Sequence, residues 1–406
     1  MRSETEYNSI RQERQDSFVD LENASIASSQ REYEERDVLG SNRDFAILPE
    51  LICAGDTNEL YRRASAHAAQ ILGAGLGGFS YEHKLWFHRD FGMIANAATI
   101  AIPHQGVAEM PSNLAAAMKK IAAETDLVPR IYDVTYAGPH SRRYTDDKIE
   151  LRGQQVYRED FFKNGVYAAL REQWELTSSM RQAMEVDVQD PALVDILTQA
   201  DHNLSQIFAA MRLTHQYNAK DGYFAKLIPN LEAYKVDGVQ YEHSGSQMAG
   251  MLAIDSALGI VTCEDFDGHK GELEGYEADL KSDYESYFNN NVKYLPPVVR
   301  RNVIAIQNGA YCGGSIIDKI LSEDPEALPE GLLAATYGFV SSLHTIRSVH
   351  HSSMKATFGE RPDSVKNGTA NTMDTAELLY QRTVAKYNEV GSIMRRVNSL
   401  HLNTED

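Results

Sequence analysis

The sequence predicts a mainly α-helical protein, and three observations lead to that expectation. Long segments carry apolar residues at helical spacing, as in the stripe formed by Leu60, Ala64 and Ile71. Start signals for helices separate these segments, such as Asp190-Pro191 immediately before a long periodic run. Alternation typical of strands is confined to short stretches, so the sequence favours helices packed on helices.

Three regions are expected along the 406-residue chain. Residues 1–43 are polar and charged, and we expect a mobile tail because they cannot bury enough apolar surface to offset the entropy of ordering. A small, mostly helical domain is predicted over 44–150. A large helical domain is predicted over 151–406.

The periodic segments predict the individual elements. In the first domain, residues 84–100 form an amphipathic helix that closes before Pro103. In the second, residues 235–250 form a loop or a short hairpin, and Pro296-Pro297 interrupts a helical stretch. The remaining helices of the large domain are predicted over 156–181, 191–217, 330–358 and 373–397.

Composition excludes several classes of partner. With 58 acidic and 39 basic residues, the net charge is −19, so the average field repels nucleic acid. No apolar run approaches the roughly 20 residues that cross a bilayer, and the charged N-terminus is not a signal peptide. Three scattered cysteines fit a reducing compartment. We therefore expect a cytoplasmic protein with neither a membrane nor a nucleic-acid partner.

Three histidines, His344, His350 and His351, lie close together in the predicted helix over 330–358. On a helix of about 3.6 residues per turn, His344 and His351 share a face, whereas His350 points about 100° away from His351. No two of them can easily share one metal ion. A single histidine is nevertheless enough to serve as the axial ligand of a haem. The alternative is that all three are ordinary surface or core residues.

Three separated segments carry a resemblance to a known family. "SGSQMAGMLAIDSALGI" (244–260), "ATYGFVSSLHTIRSVH" (335–350) and "NGTANT" (367–372) resemble, in order and separation, segments of indoleamine 2,3-dioxygenase-type haem enzymes. The upstream segments "RRYTDDKIELRG" (142–153) and "LEAYKVDGVQYEHSG" (231–245) resemble the monodechloroaminopyrrolnitrin synthase family of the same superfamily.

The resemblance covers about residues 60 to 397 and implies an indoleamine-dioxygenase-like two-domain helical fold, with haem between helices of the large domain. It implies that His350 is the proximal ligand of the iron of haem b and that Arg347 contacts a haem propionate. Ser244 would then lie at the porphyrin edge. Substrate-binding positions carried over by the resemblance are Gly245, Ser246, Gly368 and Thr369.

Departures from the family pattern bear on the substrate. Ile228 stands where the dioxygenases have an arginine that binds the carboxylate of the amino acid, which favours a substrate without a carboxylate or a clamp from elsewhere. Ala370-Asn371 replaces two glycines of the loop near the substrate. Phe161, Phe162 and Tyr167 lie on a helix that could wall the pocket, or they form plain core.

The function expected from these observations is a haem b-dependent oxygenase. Its substrate would be a small aromatic molecule, indole- or tryptophan-derived, used with O₂ or peroxide, and an electron donor is needed if ferric iron accumulates. One alternative is a non-catalytic haem-binding or gas-sensing protein, with His344 or His88 as a second axial ligand. Another is a helical interaction scaffold without haem.

Overall fold

The computed structural model describes residues 37, 39–131, 154–217, 234–241, 248–262, 291–358 and 370–404. This part of the chain is mainly helical, as predicted. Its helices are α1 (Asn42–Ala54), α2 (Thr57–Ala74), α3 (Tyr81–Ala101), α4 (Ser112–Thr125), α5 (Gln154–Glu185), α6 (Ala192–Tyr217), α7 (Met248–Ala257), α8 (Pro297–Gly313), α9 (Ile316–Ser322), α10 (Leu332–Phe358) and α11 (Ala370–Thr404). The strands are β1 (Ala108–Glu109), β2 (Tyr234–Val236) and β3 (Val239–Tyr241).

Local chemistry explains where several helices begin. The side chains of Asp56 and Ser80 accept hydrogen bonds from backbone N–H groups in the first turns of α2 and α3. Helix α8 begins at Pro297, where the missing N–H of proline costs nothing because that donor has no helical partner. The predicted interruption at Pro296-Pro297 is therefore the start of a helix.

Helix α3 lies at the centre of the first apolar cluster, which is built mainly by residues 39–131. The prediction of an amphipathic helix was wrong, because every residue from Leu85 to Thr99 is buried. Arg89 and Asp90 are inside the protein, where the Nε of Arg89 donates to a carboxylate oxygen of Asp90 at 2.6 Å. Charged residues normally lie on the solvent-facing side of a helix. Here the two charges pair with each other, so both side chains can lie in the interior.

A small three-stranded sheet joins distant parts of the chain. Strand β1 runs parallel to β2, and β2 pairs with β3 in the antiparallel sense. Asp237 and Gly238 turn the hairpin with positive φ at both positions, which matches the twist of the strands. Of the predicted alternatives for this region, the hairpin is therefore the one that forms. Buried Arg130 lies over the ring of Tyr234 at 4.4 Å.

The second apolar cluster holds α5 to α11 together. Helix α10 packs against α6 and α11, and α7 packs against α8 and α5. Contact between α7 and α5 is close at Gly250, where an added Cβ would lie 3.2 Å from the side-chain Cδ of Gln173. These contacts place α7 and α10, the two helices with the main candidate residues, inside one packed unit.

Parts of the predicted domain organisation lie outside the described residues, including most of the tail and the boundary at residue 150. Of the tail, residues 37 and 39–43 are described, and Leu39 and Ser41 among them are buried. Helix α1 begins at Asn42, close to the predicted start of the small domain.

Candidate functional site

The three histidines of α10 divide between two directions, as the helical spacing predicts. The His344 ring stacks on Tyr387 of α11, with ring centroids 4.9 Å apart, and also on Tyr380 at 5.9 Å. The His351 ring stacks on Tyr380 at 5.1 Å. His344 and His351 therefore both face α11.

Both of these imidazoles pack against tyrosines in the interface between α10 and α11, which we term the aromatic seam. His351 also contacts the carboxylate of Glu377 through its Nε2. Rotating either ring toward an iron atom would break its aromatic stacking and, for His351, the contact with a carboxylate. These two histidines are best explained by the packing of α10 on α11.

His350 has a different environment. It is half-buried and follows Arg347 by three residues, so the two side chains lie on nearly the same face of α10. It precedes His351 by one residue, which turns it about 100° around the helix axis from the face that meets α11. Of the three histidines, His350 is the one turned from the aromatic seam.

Next to His350 along the helix, Arg347 makes a buried ion pair with Asp255 of α7. The Nη2 of Arg347 donates to Oδ2 of Asp255, and both side chains are buried. Burial raises the pKa of Asp255 above its usual range, while the positive charge of Arg347 and its hydrogen bond oppose that rise. The pair connects α7 to α10 across 92 residues of sequence.

The ion pair has hydrogen-bonding capacity left over. Within the described part of the chain, Oδ1 of Asp255 and Nε of Arg347 have no hydrogen-bond partner, although both atoms are buried. Buried polar atoms are normally satisfied, so these two atoms mark hydrogen-bonding capacity that the described residues leave unused. A haem propionate would be a suitable acceptor for the guanidinium.

Other residues of the predicted site can be placed only in part. Ser244, Gly245, Ser246, Ile228, Gly368 and Thr369 lie outside the described residues. Phe161, Phe162 and Tyr167 are on α5, as predicted, but their side chains are outside the described set.

His88, a candidate second ligand, lies in the first apolar cluster on α3. It is completely buried, and its Nε2 donates to the backbone oxygen of Val128 at 2.7 Å. Burial lowers its pKa to about 4, against an opposing effect of that hydrogen bond. His88 is thus a core histidine held in the neutral form at neutral pH.

A cavity of ≈ 230 Å³ lies beyond the C-terminal end of α7. Ser256, Gln307 and Asp318 supply polar groups to its wall, and Ser256 donates to Gln307 at 2.8 Å. Neither Arg347 nor His350 lines it. This cavity is therefore not evidence for the predicted haem site.

Two features of the site were missed in the sequence. Asp255 is the charged residue in the mostly apolar stretch "AGMLAIDSALGI", and an acidic residue in a buried helix is a signal for a buried partner. The aromatic seam is signalled by rings seven residues apart, at 337, 344 and 351 on α10 and at 380 and 387 on α11.

A haem at this site would be held by one protein ligand, His350, with Arg347 as the neighbouring cation. Among the described residues, no group of three or more His, Cys, Asp or Glu side chains is arranged to hold a metal ion. Haem iron needs no such group, because the porphyrin supplies the equatorial ligands.

Comparison with known proteins leaves the family open. No protein-family model and no curated protein matches this chain. In the part of the chain that the structure describes, no helix is both long and apolar enough to cross a membrane.

Proposed function

We propose that this chain is a haem b-dependent oxygenase with an indoleamine-dioxygenase-like fold, and that His350 is the proximal ligand of the iron. The observation that carries the proposal is the division of the α10 histidines. His344 and His351 are held by tyrosines of α11, whereas His350 is turned from them and lies one turn from a buried ion pair.

Each residue near the site has a defined task in this proposal. One ring nitrogen of His350 would hold the iron, and a hydrogen-bond partner of the other nitrogen would set the orientation and basicity of the ring. Arg347 supplies positive charge for a propionate, and Asp255 fixes the direction of its guanidinium. Bound haem supplies the redox chemistry with O₂ or peroxide.

The substrate in this proposal is aromatic and derived from indole or tryptophan. The side chains of α5 and the segments 244–246 and 368–369 would orient it and exclude water. With Ile228 at the carboxylate-binding position of the dioxygenase pattern, an amine or a neutral indole is preferred over an amino acid, because a buried carboxylate would lack a partner.

A non-catalytic haem sensor is the alternative within the same cofactor class. It requires a second protein ligand, and the two candidates from the sequence are both engaged elsewhere. His344 is stacked between tyrosines, and His88 donates to Val128 within another apolar cluster. Neither histidine could therefore serve as a second axial ligand without losing these contacts, which supports the oxygenase over a sensor that uses one of them.

An optical titration tests the function. The full chain is expressed with a haem precursor, and tryptophan, tryptamine and indole are added to the purified protein in turn. We expect a Soret band that shifts with tryptamine or indole at lower concentration than with tryptophan. A colourless protein would contradict the haem proposal, and tighter binding of tryptophan than of tryptamine would contradict the inference from Ile228.

A further inference from the structure

Five rings form a continuous stack between α10 and α11, which we term the ring ladder. Its order is Tyr337, Tyr387, His344, Tyr380 and His351, with members alternating between the helices. Successive centroids are 5.3, 4.9, 5.9 and 5.1 Å apart, and successive planes meet at 28°, 12°, 21° and 8°. Every neighbouring pair is therefore in stacked contact.

The ladder follows a seven-residue spacing on both helices. Four of its five members are half-buried, whereas fully buried positions of the helix pair such as Leu343, Leu379 and Val390 carry aliphatic side chains. The ladder carries three phenols and two imidazoles. Phenols can be oxidised by one electron, and aliphatic side chains cannot, so the composition of the seam gives it a chemical capacity that packing alone does not require.

The end of the ladder at Tyr337 and Tyr387 has the geometry of a proton-coupled pair. Their hydroxyl oxygens are 2.6 Å apart, and either hydroxyl can be the donor. The shared hydrogen bond, followed by burial, raises the pKa of Tyr337, so its phenol is protonated at neutral pH. If one phenol of the pair is oxidised, the O–H of the other can donate to the phenoxyl oxygen without rearrangement.

We propose that the ring ladder conducts an oxidising equivalent from Tyr380 to the Tyr337–Tyr387 pair, where it rests as a tyrosyl radical. A peroxide-derived one-electron oxidant takes one electron from Tyr380, and the phenolic proton passes to water. A phenol of the pair then returns an electron to Tyr380, which regains a proton from water, and the oxidised phenol of the pair releases its own proton to water. His344 bridges the tyrosines without a change of oxidation state.

The net change is one phenolic O–H bond broken, one proton released and one electron transferred to the oxidant. A second oxidation of the pair allows the two phenoxyl rings to couple through a new C–C bond, with two electrons and two protons lost in total. The product is a dityrosine that links α10 to α11. The inference goes beyond the proposed function and does not require haem.

Directed photo-oxidation tests the direction of transfer. In the full chain with Cys53, Cys263 and Cys312 replaced by serine, a ruthenium photo-oxidant is attached at position 381 through Gln381→Cys, next to Tyr380 on an exposed site. Electron paramagnetic resonance after rapid freezing detects the radical. Mass spectrometry of digested protein locates the dityrosine.

We expect the cross-link between Tyr337 and Tyr387, and its loss in Tyr337→Phe, Tyr387→Phe and Tyr380→Phe. The matched control is Tyr61→Phe, which removes an exposed phenol of α2 and should leave the yield unchanged. Circular dichroism verifies that each variant is folded. A radical confined to Tyr380, or a cross-link yield unaffected by Tyr380→Phe, would overturn the proposal.

Discussion

Arg347 on α10 donates a hydrogen bond to Asp255 on α7, and both side chains lie in the interior. The bond ties the helix of the candidate iron ligand to a second helix, one turn before His350. Because an ion pair in the interior is costly to leave half-made, it constrains how α10 can rotate or slide against α7. The pair therefore restrains the part of α10 that carries His350 relative to α7.

Breaking this pair from one side should destabilise the protein. In Arg347→Ala the Asp255 carboxylate loses its cation, and we expect the free energy of unfolding to fall by about 3–5 kcal/mol. The double variant Asp255→Leu with Arg347→Met should recover most of the loss, because no buried charge is left unpaired. Urea denaturation of both variants measures the difference, and equal losses would show that the pair is not coupled.

Acid should destabilise the fold through His88. The pKa of His88 is about 4 in the folded protein, against the ordinary value of 6.5 that we take for the unfolded chain. Below pH 6.5 the unfolded chain therefore binds a proton at this histidine, whereas the folded chain binds it only near pH 4. The contribution of His88 to the free energy of unfolding is therefore largest above its unfolded pKa, and it decreases as the pH falls. We expect about 2 kcal/mol of loss between pH 7 and pH 5.

Urea denaturation at the two pH values isolates that contribution. His88→Gln keeps a donor but cannot titrate, so its unfolding free energy should fall less between pH 7 and pH 5 than that of the wild type. His104→Gln, at an exposed histidine, is the matched substitution control. An unchanged dependence in His88→Gln would contradict the assignment.

Gly259 should tolerate alanine less well than Gly55, although both have positive φ, at +69° and +64°. Both glycines close the C-terminal end of a helix with the same pair of backbone hydrogen bonds. At Gly55 an added Cβ meets open space, but at Gly259 it would lie 2.8 Å from Oγ of Ser315. Ser315 uses that oxygen to cap α9, so the clash also endangers the cap.

Thermal or urea denaturation of the two alanine variants separates conformational strain from steric overlap. We expect Gly55→Ala to cost about 1 kcal/mol through its backbone alone. For Gly259→Ala we expect about 1–3 kcal/mol more, from overpacking against Ser315. Equal losses would show that the contact with Ser315 relaxes freely.

The positions and types of the long helices could be predicted from the sequence, because hydrophobic period and proline signals are local. The helices predicted over 191–217 and 330–358 correspond to α6 and α10 of the structure. The burial of α3 could not be predicted in this way, because charged residues such as Arg89 and Asp90 normally face solvent. The sequence does not show that these two side chains form a hydrogen bond with each other in the interior. Local pattern predicts an element but not the partner of a buried charge.

For the candidate site, the sequence predicted that His344 and His351 share a face, which their stacking on α11 confirms. It could not predict that Asp255 meets Arg347, because a contact across 92 residues depends on how α7 packs beside α10. The haem, its substrate and the roles of residues 244–246, 368 and 369 stay predictions.

The absorption spectrum of three histidine variants tests the central claim most directly. Wild type, His344→Ala, His351→Ala and His350→Gly are purified after expression with a haem precursor, and circular dichroism verifies their folding. We predict that the Soret band persists in the first two variants, is lost in His350→Gly and returns when imidazole is added. Full haem occupancy with an unchanged axial signature in His350→Gly would contradict the account.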